Sequence, residues 1–330
     1  MGVERRKIVK ELAPCAGYIS TGCTLMDLAI SNSLPGGFGI GRISHIYGDE
    51  STAKSVILAE CLGSIQRQGG KAILVDVENT FDLVRANTLF GVNPETLDLK
   101  TCTSIEEFFN VVVAETIEQN KKDAEDGNII NTVIGVDSLT ALPSEVEVKE
   151  KVGETGYGAS RAKRLSESFR KYIHPLSHSN VSLLFIDQTR TNITKTFGDK
   201  KVVSGGQALK FYASTRVKLS EVQKIKNSFK LVIGVKLGFI VKKNKIAPPF
   251  RSGDFTLYFD YGIDNIRTNL EWMKEIQSLK EYDLNGKVYK QIDSAIKYVE
   301  ENSLETWLDD QVHKVWDVVY EPLPRKEKQR

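Results

Sequence analysis

The spacing of apolar residues changes several times along the chain, and each change predicts an element. TLMDLAIS (24–31) has helical spacing and ends before Pro35-Gly36-Gly37. GRISHIYG (41–48) alternates apolar and polar residues, as a strand does. After Lys54, the residues Val56, Ile57, Leu58, Leu62 and Ile65 fall on one face of a helix that Gly69-Gly70 ends. KAILVDVE (71–78), NTVIGVD (131–137) and SLLFIDQT (182–189) are short apolar runs and predict buried strands. Between them, helices are predicted over 82–90, 105–120 and 159–173, the last rich in Arg and Lys.

Polar, glycine-bearing 191–206 predicts a loop, and 207–213 a short helix. TRVKLSEV, FKLVIGVKLGFIVKKN and DFTLYFDYGI then predict antiparallel strands. Strands alternating with helices, followed by a run of strands, point to an α/β fold: a mostly parallel twisted sheet flanked by helices, with an antiparallel extension. Beyond about residue 265 the pattern becomes short amphipathic helices, which predicts a small helical or α+β C-terminal domain over 266–320. Its core is expected to hold Trp272, Trp307 and Trp316, and residues 321–330 are expected to form a basic flexible tail.

Composition narrows the chemistry. A net charge of +2, from 45 basic and 43 acidic residues, makes no general case for nucleic acid, so any basic surface must be local. Four cysteines, at 15, 23, 61 and 102, form no C-x-x-C pair and have no histidine at ligand spacing, which fits a reducing cytoplasm. His174 and His178 are four apart, but Pro175 lies between them and a third metal ligand is lacking. The first residues have no apolar secretory core, and no membrane-spanning run is present.

Where the predicted strand 41–48 meets the next helix, the chain reads GDESTAKS: Gly48, Asp49, Glu50, Ser51, Thr52, Ala53, Lys54 and Ser55. This is one residue short of the phosphate-loop pattern G-x-x-x-x-G-K-[ST], with Ala53 in place of the second glycine. In a working loop, backbone N–H groups and a helix N-terminus hold phosphate oxygens, Lys54 reaches the β- and γ-phosphates, and Ser55 holds Mg²⁺. A methyl group at residue 53 costs about 1–2 kcal/mol if φ is positive, enough to weaken nucleotide binding roughly tenfold. The same eight residues also suit an ordinary strand-to-helix turn. The strand-end acids add weight to the first reading: Asp137 is suited to Mg²⁺, and Glu78 to polarising an attacking water. Gln188 adds an uncharged group able to sense a γ-phosphate.

The order of these segments resembles the RecA family of strand-exchange recombinases. The likeness runs through TGCTLMDLAI, GRISHIYGDESTAKS, LVDVENTFD, VIGVDSLTAL and LLFIDQTR, and is most specific in SGGQALKFYASTRVKL and VKKNKIAPPFRSGDF. It covers about residues 18–265, as an ATPase core, and leaves 1–17 as a short polymerisation segment. It implies ATP and Mg²⁺ as cofactors, catalysis by Glu78, Lys54 and Gln188, and a metal site at Ser55 and Asp137. Lys243 and Lys245 would reach the ATP of a neighbouring subunit, with Lys210, Phe211 and Arg216 at the interface. Loops near 149–161 and 191–206 would bind single-stranded DNA, and then homologous duplex DNA, within a head-to-tail helical filament. A single-strand-binding protein and a loader are further partners that the resemblance allows. Ala53 departs from the family's glycine; bacteriophage members tolerate a non-glycine there, which points to a phage source.

The residues of those loops suit DNA. GETGYGASRAKR (153–164) supplies Arg161, Lys163 and Arg164 for phosphates, with Arg170 further along; both segments also suit plain basic surface loops. In 191–206, Lys195 is basic, Ile193 or Phe197 could wedge between bases, and Gly205 and Gly206 permit close backbone approach. The alternatives to a recombinase are a mediator or helicase-like motor of the same fold, and an accessory DNA-binding protein whose nucleotide site Ala53 impairs.

Overall fold

The computed structural model describes residues 15–149, 157–191, 201–203 and 206–320. Among these, ten strands form one sheet: β3 (Ile43–Gly48), β4 (Lys71–Asp76), β5 (Leu97–Lys100), β6 (Thr132–Asp137), β7 (Val181–Thr191), β8 (Lys201–Val203), β9 (Thr215–Lys226), β10 (Val232–Asn244), β11 (Ser252–Tyr258) and β12 (Gly262–Ile263). Two short strands precede it, β1 (Tyr18–Ile19) and β2 (Phe38–Gly39), and two follow, β13 (Tyr282–Leu284) and β14 (Lys287–Tyr289).

The main order is β12-β11-β10-β9-β3-β7-β6-β4-β5, with β8 pairing off β7. From β9 to β5 every neighbour is parallel, and β9 to β12 are antiparallel. The α/β architecture is the expected one. Helices on both faces keep the central parallel strands dry: β3 and β6 are buried along their whole length. One apolar cluster packs helix Lys54–Arg67 and helix Thr24–Ser31 on one face. A second, around Phe108, Phe109, Phe169 and Phe185, packs the other.

Several boundaries differ from the sequence reading. β4 stops at Asp76, because Val77 and Glu78 turn to donate their N–H groups to Asp137 O at 2.8 and 3.4 Å. The helix over 105–120 begins at Ile105 on a Ser104 cap, passes through a π-helical stretch, Phe108–Val113, and continues to Glu125. The helix over 159–173 runs from Tyr157 to His178 and includes Pro175 near its end. The loop over 191–206 is partly a hairpin: β7 extends to Thr191, and Thr189, Arg190 and Thr191 pair with Val203, Val202 and Lys201.

The C-terminal residues combine helices Asn265–Ile276, Ile292–Glu301 and Glu305–Val319 with the β13–β14 hairpin. Their tryptophans do not share one core. Trp307 packs with Leu270, Leu284 and Leu308, whereas Trp316 and Trp272 belong with the large cluster that includes Leu25 and Phe255. The last helix reaches across, and Trp316 Nε1 donates to Asn32 Oδ1 at 3.1 Å.

Candidate nucleotide-binding site

The phosphate-loop residues lie where β3 ends. Ala53 precedes helix Lys54–Arg67 with φ 62° and ψ 25°, in the left-handed region that favours glycine, and its side chain cannot cap the helix. The first-turn N–H groups therefore keep no side-chain partner from Ala53, as an anion-binding helix start requires. Ser51 shares the positive φ, at 57°. Thr52 Oγ1 donates to Asp49 O at 2.8 Å, and the Thr189 hydroxyl donates to Asp49 Oδ1, tying the loop to β7. Gly48 has no room for a Cβ, which would stand 2.6 Å from Leu219 O. Glu50 and Ser51 are exposed on the loop.

The strand-end residues converge on a cavity of about 390 Å³ lined by Ser51–Val56, Glu78, Thr80, Asp137, Ser138 and Ile186–Gln188. Adjacent parallel strands bring them together, since Asp137 is the register partner of Asp76 in β4, and Gln188 of Gly48 in β3. Lys54 Nζ donates to Asp49 O at 2.5 Å. Burial holds its pKa below the ordinary lysine value, against the pull of Asp137, Asp49, Glu50 and Glu78. Ser55 Oγ donates to Asp137 Oδ2 at 2.9 Å. Burial pushes the Asp137 carboxyl up to about 6; the Ser55 hydrogen bond opposes, and the Glu78 and Asp76 charges add. A hydroxyl and a carboxylate side by side form a hard-oxygen pair suited to Mg²⁺.

Glu78 is held by groups that composition did not single out. Ser138 Oγ donates to Glu78 Oε1 at 2.9 Å, and Asp76 accepts from Thr80 N at 3.3 Å and Phe81 N at 2.9 Å to shape the turn around it. Asp76 was visible in LVDVE, two residues before Glu78.

The other expected residues lie elsewhere. Lys243 and Lys245 do not line the Lys54 cavity. Lys243 Nζ donates to Lys210 O at 3.0 Å and Phe211 O at 2.5 Å, and Lys243 is the register partner of Arg216. Burial first, then Lys245 and Arg216, lowers the Lys243 pKa. Phe211 is 73 % exposed, whereas Arg216 is buried with its guanidinium 4.5 Å from the Tyr47 ring centre.

Of the expected DNA contacts, Arg161 is half-buried and its Nη2 donates to Leu139 O at 2.9 Å. That bond braces the turn after Asp137 and uses one of the five guanidinium N–H donors. Arg164 pairs with Glu167 at 3.2 Å and lies 3.6 Å from Glu106, and Arg170 is exposed. Gly206 opens helix Gly206–Tyr212. Ile193, Lys195, Phe197 and Gly205 lie outside the described residues, as do 1–14, 150–156 and 321–330. His174 and His178 stack with ring centres 4.1 Å apart, and among the described residues no group of three or more acidic, His or Cys side chains could hold a metal.

The family model for the RecA N-terminal domain matches residues 9–264. This chain belongs to the RecA family. The RecA protein of Synechocystis sp. is 32% identical over 312 residues, covering 93% of this chain and 84% of its own. Those of Crocosphaera subtropica and Thermosynechococcus vestitus are each 32% identical, covering 86% and 91% of this chain and 78% and 81% of theirs. The RecA match takes in every residue around the Lys54 cavity. Among the described residues no helix is long and apolar enough to cross a membrane.

Proposed function

We propose that this RecA-family chain is an ATP-dependent DNA recombinase that coats single-stranded DNA as a helical filament and catalyses homologous pairing and strand exchange. The observation that carries the ATPase half is the convergence of Lys54, Ser55, Glu78, Asp137 and Gln188 on one cavity. Lys54 binds phosphate oxygens, Ser55 and Asp137 hold Mg²⁺, and Glu78 orients water and accepts its proton. Mg²⁺, when bound, offsets the charge that develops on the phosphoryl oxygens. Gln188 couples the cavity to the β7–β8 hairpin, which lies directly beyond it on the same strand.

The gathering of Lys243, Lys210, Phe211 and Arg216 away from the Lys54 cavity favours a role at a neighbour's site. Such a head-to-tail contact extends into a helix when it does not close, and nucleotide at the joint stabilises the assembled state. A bacteriophage source rests on Ala53 alone; the relatives named above are cyanobacterial.

The test is ATP hydrolysis with and without single-stranded DNA, beside Glu78→Gln. Strong DNA stimulation that the variant loses supports the reading, and strand exchange then separates a recombinase from a motor. Absence of hydrolysis with DNA still bound would favour the accessory-protein reading.

A further inference from the structure

A set of buried polar groups that the proposed reaction does not use adjoins the cavity through Asp187. In strands β9, β3 and β7, which run parallel, alternate residues share a face, so His45, Tyr47, Asp187 and Arg216 come together there. Arg216 is the register partner of His45, and its Nε donates to His45 Nδ1 at 3.2 Å. A guanidinium keeps its protons, so Nδ1 is the acceptor and the imidazole carries its proton on Nε2. Nε2 lies 3.0 Å from Asp187 Oδ2, off the straight line of a hydrogen bond. Burial keeps the ring below its ordinary pKa, with Asp187 opposing and Arg216 adding. A neutral imidazole thus separates a buried cation from a buried anion, and all three residues are less than a tenth exposed: His45 1%, Asp187 0% and Arg216 8%.

From Asp187 the chain of contacts continues to the cavity. Asp187 Oδ1 accepts from Thr140 N at 3.2 Å. The hydroxyls of Thr140 and Ser138 are 2.9 Å apart. Since Ser138 gives its only proton to Glu78 Oε1, the Thr140 hydroxyl is the donor between them.

We propose that His45 is a positioning residue for Glu78: it locks the Asp187 carboxylate between β3 and β7, and through Thr140 and Ser138 sets where the Glu78 carboxylate stands. Arg216, beside Lys243, is the far end of the same chain. The proposal rests on the reading of Glu78 as the group that orients water.

The test measures kcat and KM for ATP at saturating single-stranded DNA, and separately the Kd of a fluorescent non-hydrolysable ATP analogue. His45→Ala is expected to lower kcat about tenfold while the analogue's Kd stays within about twofold, as for an effect on the water-orienting group and not on nucleotide binding. Ser138→Ala should lower kcat likewise, and the double variant should be no slower than the slower single one, because both cut one chain. His45→Gln, which can accept from Arg216 and donate to Asp187, should recover most of the rate. If His45→Ala does not fold, His45→Gln against His45→Asn, whose shorter side chain cannot span both partners, gives the same comparison. Multiplying losses in the double variant, a Kd that loosens in step with kcat, or an unchanged kcat would overturn the proposal. Absence of hydrolysis in the unmutated chain would instead overturn the role of Glu78, and this proposal with it.

Discussion

Ala53→Gly tests where the cost of the altered phosphate loop falls. With φ 62° and ψ 25°, an L-residue is held at about 1–2 kcal/mol above its preferred backbone. Glycine removes that strain but gains freedom in the unfolded chain, which returns about 0.4–1 kcal/mol. The Ala53 methyl also packs partly against the large apolar cluster, worth less than the ~0.8 kcal/mol of a fully buried carbon. The three terms nearly cancel, so the melting temperature should shift by no more than about 2 °C in either direction. The strained backbone is present before any nucleotide binds, so it cancels between free and bound states. Affinity for ATP should therefore change less than about threefold, not the tenfold that a strain adopted on binding would give. Ala53→Val is the opposite control: a β-branched residue resists the left-handed region more strongly, so by the same reasoning its cost should appear as a lower melting temperature. The assays are thermal melting and titration with a fluorescent ATP analogue. A tenfold tightening in Ala53→Gly would refute the reasoning, because the loop would then become strained only around phosphate.

Three further outcomes are expected. Lys243→Ala with Lys245→Ala should shorten filaments on DNA and abolish cooperative ATP hydrolysis while circular dichroism stays native; full-length filaments seen by electron microscopy would exclude the inter-subunit role. The Asp137 carboxyl, raised to about 6, holds a proton more readily than an ordinary aspartate, and Mg²⁺ must displace it. Mg²⁺-dependent nucleotide binding should thus weaken as pH falls through about 6, with a midpoint that moves lower as Mg²⁺ rises; Asp137→Asn should lose that dependence in the same titration. Trp316→Ala should cost about 3–5 kcal/mol, read in denaturant unfolding, and should destabilise the main sheet as well as the C-terminal helices.

The parallel strands were legible because burial on both faces makes them nearly unbroken apolar runs, as in AILV of β4 and LLFI of β7. β5 was missed: it is the four-residue LDLK with three residues exposed, too short and too polar to show a period. The β13–β14 hairpin had a readable sign in Asn285-Gly286, both at positive φ in the turn, but helical spacing on either side obscured it. Lys54, Ser55, Glu78, Asp137 and Gln188 could be picked out because strand ends collect on one edge of a parallel sheet. The bond from Arg161 to Leu139 O could not be read, since it joins residues 22 apart that only the folded turn brings together. The grouping of His45, Asp187 and Arg216 depends on three strands distant in sequence meeting in one register, which no local pattern encodes.

The last helix has a consequence for how this protein can be dissected. Leu308 belongs to the small C-terminal cluster, while Val312 and Trp316, one and two turns on, belong to the main one. Asp309 between them accepts from Thr24 Oγ1 at 2.7 Å and Asn269 Nδ2 at 2.8 Å. A deletion of everything after residue 265 would not subtract a separate part. It would strip a wall from the RecA-type core and leave the Thr24 hydroxyl without its acceptor. Loss of activity in such a truncation would report a broken core, so the role of these residues is better sought by changing their outer surface, where Val318 and Val319 are exposed, with the helix left in place.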